Sequence, residues 1–237
     1  MDRRERWADM EEAVRLALDS ARAQIWTSMP ATVLTFNAQA CTVNVQPAIG
    51  GVRFDAEGFP RAIDLPVIED VAVIFPGGGG HHLTFPLRPG DQVTLVFACR
   101  PLDAWWQSAG SGPTVHRPAS ARMHDLSDAF AVPGVMSKPR VISAISQTDV
   151  ELRTDDGLAK VAISPAGLVT ISAPAGLVIN GNVQINGAIS QGAPAGGGSA
   201  ASSLIGPLTV TQDVTAGGKS LKTHTHPNGS PNTGQPN

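Results

Sequence analysis

The chain has 237 residues, with 17 basic and 20 acidic side chains and a formal net charge of −3. That length suits one or two domains. The charge balance lacks the basic excess of a nucleic-acid-binding protein, so no nucleic acid partner is expected. No apolar run approaches the roughly 20 residues of a membrane span. The opening Met1-Asp2-Arg3-Arg4-Glu5-Arg6 lacks the apolar core of a signal peptide, so cytoplasmic synthesis is expected. Cys41 and Cys99 lie among apolar neighbours and are expected as two buried free thiols rather than a disulfide.

Residues 1–28 predict a helix. Trp7, Met10, Val14, Ala17 and Ala21 follow 3-4-3-4 spacing, Leu18 and Ile25 widen the stripe, and Pro30 ends the pattern. Such a stripe can dock on its own domain, on a partner or on copies of itself, although two alanines in the seam make it a weak coiled coil alone.

Residues 30–135 carry short β patterns. Thr42–Gln46 alternates with period two, and Asp70–Phe75 and Gln92–Phe97 are further strands, with turns at Gly77–Gly80 and Pro89-Gly90-Asp91. This spacing suits a small barrel or sandwich. Every Phe and Trp lies at or before Phe130, so this region owns the aromatic core.

Residues 131–237 contain no aromatic ring of Phe, Trp or Tyr, and Val161 to Gln212 contains no Asp, Glu, Lys or Arg. Strand-like pieces recur at 161–164, 168–171, 178–180, 183–185 and 208–211, with turns such as Asn180-Gly181-Asn182 and Asn186-Gly187 among them. In a monomer such uncharged β-branched strands would leave open edges, with too little bulk for a globular core. Identical chains winding together in a β-prism or β-helix remove both problems. An obligate homo-oligomer is therefore expected, with 191–203 as a loop or crossover.

Near the C-terminus stands Thr223-His224-Thr225-His226. On an extended strand both rings project from one face, and neutral imidazole ligates Zn, Cu, Fe and Ni. One chain supplies two nitrogens. Three chains meeting on an axis supply six, an octahedral set that leaves two over for tetrahedral zinc.

These features together resemble the central spike proteins of contractile-tailed phage baseplates. The N-terminal resemblance rests on Thr42-Val43-Asn44-Val45-Gln46-Pro47, Asp64-Leu65-Pro66-Val67, Phe75-Pro76-Gly77-Gly78-Gly79, Thr84-Phe85-Pro86-Leu87, Gly90-Asp91, Asp103-Ala104-Trp105-Trp106-Gln107 and the stretch Arg122–Phe130. At the other end it rests on Thr223–His226 followed by Gly229 and Thr233-Gly234. The resemblance implies a mainly β homotrimer: an N-terminal helix (1–28), an OB-fold collar (29–135), an intertwined trimeric β-helix or β-prism shaft (136–218) and an apex (219–237). It also implies one iron ion per trimer, held by His224 and His226 of three chains. The implied role is non-enzymatic piercing of the bacterial outer membrane when the sheath contracts. The implied setting is the tail tip of a virion assembled in a bacterial host, joined to the tail hub through the N-terminal region.

Other motifs carry less. Gly218-Lys219-Ser220 ends like a phosphate loop, but Asp213 stands where its first glycine belongs. His81-His82 after a glycine run reads as a solvated pair. Arg122, His124, Asp125 and Asp128 lack a nucleophile in an elbow-like context and are expected to be structural. Trp105-Trp106 reads as core or interface packing rather than a sugar or base platform. A receptor-binding fibre would want an enlarged aromatic or charged tip. A cell-wall hydrolase would want an acid/base pair in a separate domain. This sequence has neither.

Overall fold

The computed structural model describes residues 3–108, 110, 115–192 and 202–225, with side chains from Met10 onward. It divides into two units, one ending at Gly176 and the other starting at Leu177.

The first unit opens with helix α1 (Arg3–Ala23). Its exposed face carries Arg15 against Glu11 and Glu12 at helical spacing, and Met10, Val14 and Leu18 are uncovered. The helix stops five residues short of the expected 28. Trp26 already belongs to the next element, packing on Phe97 with ring centroids 6.2 Å apart.

Strands follow in order: β1 (Ser28–Asn37), β2 (Thr42–Pro47), the hairpin β3 (Gly51–Phe54) and β4 (Pro60–Ile63), then β5 (Ile68–Val73). A short hairpin of β6 (Gly77–Gly78) and β7 (His81–His82) precedes β8 (Gln92–Phe97), helix α2 (Asp103–Trp106) and β9 (Ala129–Pro133). Five of these close into a barrel in the order β1-β2-β5-β9-β8. All its pairings are antiparallel except β5 with β9.

Period-two alternation explains the barrel. Met29, Ala31 and Val33 on β1, Val43 and Val45 on β2, Val93, Leu95 and Phe97 on β8, and Ala129 and Ala131 on β9 all point inward and are buried. Small β-branched residues fill a narrow lumen. Pro30 lies inside β1, paired with Thr94, so it does not act as the boundary the helical pattern suggested. The two thiols also differ from expectation. Cys41 is half-buried with φ 56° at the turn into β2, and Cys99 is exposed because it follows the last inward residue, Phe97.

After the barrel come three strands in an antiparallel meander: β10 (Val150–Arg153), β11 (Lys160–Ile163) and β12 (Val169–Ser172). In the second unit the described residues form one hairpin, β13 (Thr215–Ala216) and β14 (Lys219–Ser220). The expected strands at 178–180, 183–185 and 208–211 are not strands in the single chain. Val178, Ile179, Val183 and Ile185 are all exposed. Among the described residues no strand pairs with them.

Candidate functional site

The hairpin near the C-terminus positions His224. Gly217 and Gly218 both have positive φ, 56° and 77°, the left-handed pair that a tight two-residue turn requires. Beyond β14 the chain is turned by Ser220, whose hydroxyl oxygen accepts from the backbone N–H groups of Lys222 (3.1 Å) and Thr223 (2.9 Å). The Asp213 carboxylate also accepts from Lys222 N–H at 3.1 Å. The Ser220 hydroxyl first, then the backbone N–H groups of Lys222 and Val214, hold the Asp213 carboxyl below the ordinary carboxylate range. The Leu221 N–H donates to the Val214 carbonyl at 2.9 Å, tying the turn to the strand before it.

This scaffold aims the His224 ring. Its Nδ1 lies 3.0 Å from the Ser220 carbonyl and 3.1 Å from the Leu221 carbonyl. A carbonyl oxygen only accepts, so Nδ1 carries the proton and, in the neutral ring, Nε2 carries the lone pair. Metal-ligating histidines use this arrangement, with one ring nitrogen donating to a backbone carbonyl and the other fixed as the donor atom. The chemistry of His224 therefore fits a metal ligand. His226, its expected companion, lies outside the described residues. Among the described residues no three His, Cys, Asp or Glu side chains of one chain gather into a metal-sized group.

The meander builds a second feature. Val150 faces Ile163, which faces Val169; Leu152 faces Val161, which faces Ile171. Directly opposed residues share a face, so six aliphatic side chains lie side by side, and all six are exposed. The opposite face is polar and is covered around Glu151, Arg153 and Ala162, while Thr170 on it is exposed. Lys160 Nζ donates to Glu151 Oε1 at 2.6 Å, and Arg153 donates to the carbonyls of Ala144 (2.7 Å) and Ser143 (2.9 Å). The Glu151 carboxyl is held below its usual range, first by Lys160 and then by the Ser146 N–H and Arg153. A water-facing sheet shows the reverse, with its apolar side covered and its polar side wet.

The stretch Arg122–Asp128 is a brace. Asp128 is 2% exposed; it accepts from Arg122 Nε and Nη2, both at 3.1 Å, and from the Leu102 N–H at 3.1 Å. Arg122 Nη2 also reaches Asp103 at 2.7 Å, clamping the start of α2. The Asp128 bond, more than any other contact, raises the guanidinium pKa further. Asp125 is occupied by Ser127. Every polar group here serves the fold. On α2, Trp105 stands edge-on to Phe130 at 5.8 Å, with Trp106 beside it at 6.0 Å. His81 and His82 are exposed on a Gly-Gly hairpin, as expected of a solvated pair.

Sequence reading missed the Glu151–Lys160–Arg153 network and the part of Ser220. Val150-Glu151-Leu152-Arg153 alternates strictly, and that signal would have located β10. Ser220 offers no pattern.

Residues 29–134 match the family described as the phage protein Gp138 N-terminal domain. The matched span holds the five barrel strands except Ser28, the first residue of β1. The match supports a phage baseplate-type structural protein and a virion component. No curated protein matches the chain. No helix among the described residues is long and apolar enough to cross a membrane.

Proposed function

We propose that this protein is the central spike of a contractile tail baseplate, a non-enzymatic homotrimer that pierces the bacterial outer membrane. One observation carries the reading: the six-residue apolar face of the meander, left open on a chain whose barrel is similar to a phage domain. Three such faces turned to a common axis bury one another. Removing half-exposed Val, Leu and Ile side chains from water contributes about 1 kcal/mol each. The segments at 178–180, 183–185 and 208–211 then find their strand partners in the other two chains, which closes their edges.

In this reading the barrel is an OB fold. Its strand order and its single parallel pairing suit a five-stranded Greek-key barrel. It forms the collar toward the tail hub, with α1 available for attachment. His224 and His226 from three chains hold one iron at the apex. The ion cross-links the chain ends, where fraying would start. Force comes from the sheath, and the shaft transmits it. The chain needs stiffness and no reaction chemistry.

Antibodies raised against the purified chain test the assignment on intact particles. Labelling at the distal tip of the tail is expected. Labelling on lateral fibres, or no labelling of particles, would reject it.

A further inference from the structure

From Leu177 to the C-terminus the sequence holds three charged residues: Asp213, Lys219 and Lys222. All three belong to the hairpin region. Both lysines are exposed, one on the strand after the Gly217-Gly218 turn and one just beyond it. The Asp213 carboxylate instead turns back on the backbone N–H of Lys222. Between the two lysines Leu221 is 57% exposed, its backbone fixed by the bond from its N–H to Val214.

We infer that Lys219, Leu221 and Lys222 form a contact surface for an anionic, phosphate-bearing lipid layer. This rests on the trimeric reading above, because one chain brings two lysines while three chains bring six. Clusters of 4–8 basic residues are the size that anionic bilayers hold, at about five-fold in partition per lysine. The aliphatic residue between the lysines favours a lipid surface over a soluble polyanion. Basic side chains meet the phosphates while an apolar one enters the interface. From Leu177 to Gln212 the sequence carries no Asp, Glu, Lys or Arg, so within the second unit the charged side chains are those of the hairpin region.

Co-sedimentation of the full chain with vesicles tests this, with native mass spectrometry run on the same samples. Vesicles of phosphatidylglycerol and phosphatidylcholine are compared with phosphatidylcholine alone, at low and high salt. The expected result is a trimer that binds the anionic vesicles, releases at high salt and ignores neutral ones. The Lys219→Gln/Lys222→Gln pair should weaken binding by at least about ten-fold. Leu221→Ser should weaken it by a smaller factor. Both variants keep the backbone bonds of the turn and should remain trimers. A trimer that binds both vesicle types equally, or a double lysine variant that binds like wild type, overturns the inference and leaves the spike reading standing. Undiminished binding by Leu221→Ser overturns it in favour of a general polyanion contact. A monomer overturns the trimeric reading, and this inference with it.

Discussion

Trp26 and His124, 98 residues apart in sequence, hold each other by two hydrogen bonds: the Trp26 N–H donates to the His124 carbonyl at 3.1 Å, and His124 Nδ1 donates to the Trp26 carbonyl at 3.2 Å. The link after α1 is thereby stapled to the loop before β9. His124 has a positive φ of 50°, a conformation uncommon outside glycine. The staple holds a non-glycine residue in that conformation.

This sets where the N-terminal helix can be removed. A chain starting at Ile25 keeps Trp26, Met29 and all of β1, and should fold and assemble like the full chain while failing to attach to the rest of the baseplate. A chain starting at Pro30 loses Trp26 and the buried Met29, and should melt measurably lower. Equal melting of the two truncations would show that Trp26 does not support the barrel.

The brace makes a second prediction. Asp128→Ala leaves the Leu102 N–H unsatisfied and removes the two-point bond to Arg122. The expected cost is about 2 kcal/mol, read as a melting temperature lower by about 5–10 °C. Because the role is structural, Arg122→Lys should recover only part of the stability that Arg122→Ala loses, since an ammonium cannot form the paired bond. Full recovery by lysine would contradict that geometry.

Acid should loosen the meander. Glu151 has a folded-state pKa below the ordinary value of about 4.5. Its contribution is therefore complete above that value and is lost as pH falls through the lower folded value. Melting curves from pH 7 to pH 3 should show a fall in stability below about pH 4.5. Glu151→Gln should flatten that fall. An identical pH profile in the variant would assign the acid sensitivity elsewhere.

The open apolar face predicts that assembly is sensitive to charge there. Val161→Lys, at the middle of the six aliphatic side chains, should dissociate the assembly at micromolar concentration. Thr170→Lys, on the opposite face of the adjacent strand, should leave it intact. Sedimentation velocity reads both. Assembly of the Val161→Lys chain would show that this face is not the contact.

The barrel was legible where alternation was uninterrupted. Thr42–Gln46 and Gln92–Phe97 show every second side chain turned inward, as the pattern required. β1 was hidden because its first turn contains Pro30, and proline reads as a stop until a partner strand is seen. β9, Ala-Phe-Ala-Val-Pro, is too short and too mixed to announce itself; its place comes from pairing with β8 and β5. Charge depletion after Val161 raised the expectation that the segment needs partners. It could not show that β10–β12 cover their polar side around Glu151 and Arg153 and expose their apolar one, because the cover comes from Ser143 and Ala144. His224 was visible as a residue type. Its Nδ1 bonds, which orient the ring, depend on a turn that no local motif encodes.

The most direct test is native mass spectrometry of the purified full chain with elemental analysis of the same sample, repeated on His224→Ala/His226→Ala. The account predicts three chains and one iron in the wild type. It predicts three chains and no iron in the variant. A folded monomer at micromolar concentration, or iron content unchanged by the double substitution, would contradict it.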